Sequence, residues 1–260
     1  MKSHPMEINT NTRVRWEIIR KLPETQSLKG KKVLDIASGL GYFSVQFARL
    51  GADVLAADID QKSLHYLSDN FHISTLPINV EKDTFPDEKF DFIFIGELLE
   101  HLQNPLDILR KSKDLLTSEG ILVLTVPALE GFFIHSKGKR LGHQDGSEKH
   151  ERDGFYKYEI EDMLNTVKME LVSHTYSVYF FAELFMQLTK LVYIKNKKTY
   201  ASQSDVFTVT GNIKYKILKY IYPVLLLGFN IEQFVCRKLR LKGHCHIFVA
   251  RRKQGIAEKD

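Results

Sequence analysis

Between Lys31 and Pro127 short apolar runs alternate with longer segments whose apolar residues recur at helical spacing. The runs "KKVLDIA", "ADVLAADID", "STLPINV", "KFDFIFIG" and "GILVLTVP" read as strands. The segments "GYFSVQFARLG", "QKSLHYLSDNF" and "NPLDILRKSKDLLTSEG" read as helices. Gly51 stands where the first of these helices should stop, and Pro105 suits the first turn of the third. Strands alternating with helices of this length predict a parallel sheet covered by helices on both faces. A short amphipathic helix is expected before it, over "RVRWEIIRKL" at 13–22.

After Pro127 the pattern changes. Residues 130–154 are rich in glycine, histidine and charge and read as a long loop, a type of segment that often serves function. "YKYEIEDMLNTV" reads as a helix and "MELVSHTYSVYF" as a sixth strand. "AELFMQLTKLVYI" reads as a helix, and "KNKKTYASQSDVFTVTGN" as a loop. "IKYKILKYIYPVLLLGFNIEQFVCRKLRL" is strongly apolar, and "GHCHIFVARRK" reads as a last strand. The expected organisation is a core over 1–180, a helical insertion or lid over 181–240, and the last strand with a tail over 241–260.

A chain of 260 residues, 43% of them hydrophobic, can bury one core with such an elaboration. Its net charge of +5 allows acidic substrates or an anionic membrane surface and does not require nucleic acid. The two cysteines, Cys236 and Cys245, form no CxxC pair, which argues against a zinc site or a disulfide framework. The first residues, "MKSHPMEINTNTRVRW", contain no apolar signal region, so a cytoplasmic setting is expected.

The handover "VLDIASGLGYFS", Val33 to Ser44, carries the chemistry. In an open α/β sheet the ligand sits beyond the carboxyl ends of the strands. Gly39 and Gly41 let the backbone bend tightly there. Asp58 ends the next strand, where a carboxylate can hold both hydroxyls of a ribose. The plainer reading is a tight turn with a capping aspartate. A nicotinamide dinucleotide suits the pattern less well, because Ser44 stands where a third glycine is wanted and Asp35 would repel a pyrophosphate. S-adenosyl-L-methionine, with an ammonium, a sulfonium and no phosphate, suits Asp35 better.

Here "VLDIASGLGYFS...GADVLAADID" resembles the first two motifs of class I S-adenosylmethionine-dependent methyltransferases, and the resemblance runs over roughly residues 30–127. Within that family the chain looks most like the ubiquinone-biosynthesis O-methyltransferase type. The resemblance implies a doubly wound, Rossmann-like, seven-stranded sheet, mostly parallel with the last strand antiparallel. It implies that Asp35 anchors the methionine end, that Gly39 and Gly41 pass beneath the cofactor, and that Asp58 takes the ribose hydroxyls. Asn79, where the family usually has aspartate at the end of the third strand, would face the adenine amino group, and Val80 would offer its backbone N–H to the ring.

"GELLEHLQNP" follows the fourth strand, where an acceptor should meet the methyl group. Helical spacing would set Glu97, Glu100 and His101 on one face, a set able to bind a divalent cation such as Mg²⁺. Similar E-x-x-E-H segments in ubiquinone-type and small-RNA methyltransferases are linked to a metal. The plainer reading leaves His101 and Glu100 as pocket residues, with His101 as general base. His143 and His150 lie on the following loop and could close over this edge.

The expected function is methyl transfer from S-adenosylmethionine to a small-molecule or lipid-linked acceptor, at oxygen. An RNA acceptor is the alternative enzyme reading, although no appended RNA-binding motif is visible. A non-catalytic cofactor-binding module is the alternative outside enzymes. The apolar stretch around "ILKYIYPVLLLGF", with Lys219 and Pro223 inside it and basic flanks, suits a lid, a dimer surface or peripheral contact with the inner face of the membrane.

Overall fold

The computed structural model describes residues 4–131, 151–194 and 213–253. A short 3₁₀ turn, Pro5–Ile8, leads into helix α1, Thr10–Ile19, and a one-turn helix α2, Pro23–Gln26. The strands are β1, Lys32–Ile36; β2, Asp53–Asp58; β3, Ser74–Pro77; β4, Phe90–Gly96; β5, Leu116–Pro127; β6, Met169–Ser177; and β7, Cys245–Arg252. Helices α3, Tyr42–Arg49; α4, Gln61–Phe71; α5, Pro105–Leu115; and α6, Lys157–Thr166, connect the strands through β6. Helices α7, Phe180–Ile194, and α8, Ile213–Lys238, lie between β6 and β7.

The seven strands form one sheet in the order β3-β2-β1-β4-β5-β7-β6. Neighbours from β3 to β5 are parallel, and β7 runs antiparallel to both β5 and β6. This is the doubly wound sheet with one reversed strand that the sequence implied. The central strands are buried on both sides, so their residues divide by parity between two cores. Leu34, Ile36, Ile93, Ile95, Leu122 and Leu124 face α5 and α6, meeting Ile108, Leu109, Ile160 and Leu164. Val33, Phe92, Phe94 and Val123 face the other way, against Trp16, Ile19, Val45 and Phe47 from α1 and α3. Ile36 lies beside both Ala57 and Ile95, so β1, β2 and β4 end together along one edge.

A third, smaller core joins α1 to α7 and α8 through Val14, Val178, Ala182, Tyr222, Leu226 and Phe229. Pro223, inside the apolar stretch, does not interrupt α8. The proline removes one helical N–H, yet Tyr222, Leu226 and Phe229 on one face are all buried, and that packing holds the helix together. Among the described residues no helix is long and apolar enough to cross a membrane. His143, His150 and most of the expected loop at 130–154 lie outside the described residues.

Candidate functional site

The turn after β1 is built on left-handed backbone. Ala37, Gly39 and Gly41 have φ of 57°, 53° and 72°. For Ala37 this costs roughly 1 kcal/mol, whereas glycine adopts it freely. Gly41 has a second reason to be glycine, because a Cβ there would stand 2.2 Å from a methyl of Leu67. Gly41 is also the N-cap of α3, so the turn ends by aiming the helix N-terminus at the sheet edge.

Two buried carboxylates frame this turn. Asp58, at the end of β2, accepts the Gly39 N–H at 2.7 Å and the Asp60 N–H at 2.8 Å. Burial pushes its pKa up, and these backbone donors oppose the shift. Asp35 is 2% exposed and accepts a hydrogen bond from the Ser44 hydroxyl in the first turn of α3. Burial lifts its pKa to about 7, against the pull of the Ser44 bond and with the Asp58 charge adding to the rise. The hydroxyl of Ser38, inside the turn, is buried without a hydrogen-bond partner among the described residues.

The N-terminal segment closes over the turn. The Met6 N–H donates to Nδ1 of His4 at 3.1 Å, which leaves the ring proton on Nε2 to bond the Leu40 carbonyl at 2.9 Å. The ring is fully buried beside Tyr42, Tyr66 and Phe71, and burial lowers its pKa to about 4. No periodicity pointed to this role, because His4 precedes every periodic segment.

On the opposite side of β2, strand β3 stops at Pro77, two residues short of Asn79. Asn79 therefore lies in a turn rather than at a strand end. Its side-chain oxygen accepts the Glu81 N–H at 3.1 Å, and its own N–H donates to Asp83 at 2.8 Å. An amide oxygen has a second lone pair, so one acceptor site remains. Lys111 donates to the Val80 carbonyl at 2.7 Å.

Beyond β4 the chain again turns left-handed, at Glu97 with φ 54°. This directs the carboxylate toward α1. Asn11 donates to it at 3.3 Å, the Arg15 guanidinium lies 3.5 Å away, and the Cys245 thiol donates at 3.5 Å. Arg15 is buried, donates to the Thr125 hydroxyl at 2.9 Å, and lies over the Phe43 ring. Sequence reasoning missed this group. Its one signal was a cation on the stripe of α1 that also carries Ile18 and Ile19.

Residues 34–124 match a family model described as a methyltransferase domain. The chain is 36% identical over 139 residues to the tRNA U34 carboxymethyltransferase of Pseudoalteromonas translucida, covering 49% of this chain and 42% of that protein. It is 38% identical over 115 residues to the ubiquinone biosynthesis O-methyltransferase of Glaesserella parasuis, covering 39% of this chain and 48% of that one. The chain thus spans less than half the length of these curated relatives. A solved S-adenosylmethionine-dependent methyltransferase from Mesorhizobium loti shares the fold, with a TM-score of 0.56 at 14% identity over 94% of this chain and all of that one. Residues 34–124 thus form a methyltransferase domain, set in the fold of the solved S-adenosylmethionine-dependent enzyme.

The methyltransferase edge fits that cofactor. The Ser38 hydroxyl beside Gly39 is buried without a hydrogen-bond partner among the described residues, and the two acids of the turn suit a cation and a ribose. The expected Mg²⁺ site needs correction. Among the described residues no three His, Cys, Asp or Glu side chains are grouped to hold a metal ion. The reason is local backbone. The segment is a 3₁₀ turn over Leu99–His101, not an α-helix, and the left-handed Glu97 sends its carboxylate to Arg15 and Asn11. Helical spacing therefore does not align Glu97 with Glu100 and His101. Glu100 is buried, and its carbonyl accepts the Glu151 and Arg152 N–H groups. His101 is partly exposed on the same turn.

Proposed function

We propose that this domain transfers a methyl group from S-adenosylmethionine to an oxygen of a small-molecule or lipid-linked acceptor. The observation that carries the reading is the shared edge. The Gly39 turn tied to Asp58 and the turn bearing Glu97, Glu100 and His101 follow β1 and β4, which are neighbours in register. Cofactor and acceptor groups therefore stand side by side.

Asp58 would hold the ribose hydroxyls, for which its carboxylate keeps free lone pairs. Asp35 would offset the ammonium, and the Gly39–Gly41 turn would let the backbone approach closely. Asn79 and the Val80 N–H would meet the adenine. When bound, the cofactor supplies a methyl group on a sulfonium. It would thereby supply an electrophilic methyl carbon with a neutral thioether as leaving group, and the turn after β4 would present the acceptor oxygen to it. Holding the two in line supplies much of the rate. His101 takes the acceptor's proton as general base, with Glu100 fixing the turn that presents it.

An RNA acceptor is the second reading, favoured by the likeness to the tRNA U34 carboxymethyltransferase. Transfer of labelled methyl from S-adenosylmethionine, assayed against lipid-linked and soluble hydroxyl compounds and against total tRNA, separates the two. Label in the organic phase supports the first reading, and label in tRNA replaces it with the second. Cofactor binding with no transfer to any acceptor would leave a binding module.

A further inference from the structure

Helix α8 has two unlike faces. Tyr222, Leu226 and Phe229 are buried against α1 and α7, and Tyr222 donates to the Thr10 hydroxyl at 3.3 Å. On the other side Tyr220, Val224, Leu227, Ile231 and Phe234 repeat at spacings of four and three, and are between 59% and 88% exposed. They form one stripe about 21 Å long at 1.5 Å per residue. Phe181, at the start of α7, is also exposed, and its N–H bonds Glu232 of α8.

The charges around this stripe are mostly basic, with Glu7 paired to Lys219 at 4.0 Å near its first residue. Glu232 is the one acid in α8, and it is turned away to cap α7, accepting the Phe181 and Ala182 N–H groups at 2.6 and 3.2 Å. Arg237, Lys238 and Arg240 follow the stripe, are exposed, and form no ion pair among the described residues. Lys238 reaches back over the Phe234 ring, with its Nζ 4.9 Å from the ring centroid. This arrangement keeps an ammonium at the border of an apolar surface.

We propose that the outer face of α8 docks the protein in the plane of an anionic lipid bilayer. An exposed apolar stripe of this length needs a cover. A second copy fits poorly as that cover. Lys214, Lys216 and Lys219 lie at one end of the helix and Arg237 and Lys238 at the other, so either pairing of two α8 helices sets like charges together. An anionic interface meets the stripe with acyl chains and both ends with phosphate. The inner face of α8 rests on α1, which carries Arg15 and Asn11 to the Glu97 edge, so docking brings that edge close to lipid. The docking stands apart from the methyl-transfer reading; delivery of a lipid-borne acceptor rests on it.

The test is co-sedimentation of the full chain with equimolar phosphatidylcholine–phosphatidylglycerol vesicles and with pure phosphatidylcholine vesicles. Binding to the anionic vesicles is expected, with a loss of roughly a hundredfold on pure phosphatidylcholine, from about three cations near the surface. The double variant Leu227→Gln/Ile231→Gln should lose vesicle binding with its melting temperature kept. The triple variant Arg237→Glu/Lys238→Glu/Arg240→Glu should lose it independently, should the first variant fold poorly. No binding of the wild type at low salt overturns the proposal. So does a dimer in sedimentation velocity that Leu227→Gln/Ile231→Gln dissolves, which would make this face a contact between copies. Calorimetry of S-adenosylmethionine binding without vesicles reports on the cofactor reading alone, so the two ideas fail separately.

Discussion

Asp58 accepts the backbone N–H of Gly39 at 2.7 Å, a bond that spans nineteen residues and ties the end of β2 to the turn after β1. One carboxylate thus shapes the turn and, in the proposed complex, holds the ribose. The two tasks separate by substitution. Asp58→Asn can still accept the Gly39 N–H but loses the charge, whereas Asp58→Ala loses both. Charge-assisted hydrogen bonds contribute roughly 1.5–3 kcal/mol each. Calorimetry should therefore find S-adenosylmethionine affinity reduced more than about a hundredfold in Asp58→Ala and by a smaller factor in Asp58→Asn. Unchanged affinity in Asp58→Ala would remove this residue from the site.

In the proposed complex, Asp35 links cofactor binding to pH. Its pKa of about 7 stands far above the ordinary 3.8, chiefly because it is buried. A carboxyl raised in the folded state binds protons that the unfolded chain has already released. Its contribution is therefore unfavourable once the pH passes about 4, and the cost grows until about pH 7. The cost at pH 8 is on the order of 4 kcal/mol at most. Asp35→Asn should accordingly raise the melting temperature at pH 8 and change it little at pH 4. An ammonium placed beside Asp35 favours the ionised form, so cofactor binding near pH 7 should release a proton from it. Calorimetry in buffers of different ionisation enthalpy would detect that release, and it should shrink in Asp35→Asn. A variant that binds as tightly as wild type and releases the same proton would contradict the role given to Asp35.

The parts of the molecule legible in sequence are those governed by local periodicity. Short apolar runs mark β1, β4 and β5, helical spacing marks α3 to α6, and Gly39, Gly41 and Asp58 mark the turn by residue type. What was not legible depends on partners far apart in the chain. Arg15 meets Thr125 across 110 residues, and nothing in the spacing of α1 names that partner. Glu97 fails as part of a helical triad because one left-handed residue redirects its side chain, a backbone state that a glutamate does not advertise. Asn79 lies in a turn, where its side-chain oxygen also accepts the Glu81 N–H, and α8 runs through Pro223 because its buried face outweighs one lost hydrogen bond.

Arg15 should matter for both stability and turnover. It joins Glu97, just after β4, and Thr125 on β5 to α1, and its removal leaves the Thr125 hydroxyl without that donor and the Glu97 carboxylate without its cation. Glu97 is partly exposed, so water moderates the loss, and Arg15→Met should destabilise by ~1–3 kcal/mol. Denaturant melts give that number. In steady-state assays the variant should lower kcat while leaving S-adenosylmethionine affinity within about threefold, since in the proposed complex Arg15 lies on the acceptor side. A loss confined to cofactor binding would place Arg15 on the wrong side of the site.

His4 makes the cover of the glycine turn sensitive to acid. Its ring is neutral, accepting the Met6 N–H and donating to the Leu40 carbonyl, and burial holds its pKa near 4 against an ordinary 6.5. A histidine lowered in the folded state takes up its proton sooner when the chain unfolds. Its contribution is complete above about pH 6.5 and is lost as the pH falls toward 4. The change is ~3 kcal/mol at most. His4→Ala should therefore destabilise at pH 7.5, and the gap from wild type should narrow by pH 4.5. Because the bond ends on Leu40, within the turn that Asp58 also holds, loss of His4 should loosen the turn itself. Amide exchange at Gly41 should rise in His4→Ala at neutral pH, and cofactor affinity should fall with it. Equal pH dependence in wild type and His4→Ala, measured by denaturant titration across that range, would show that the acid sensitivity comes from another group.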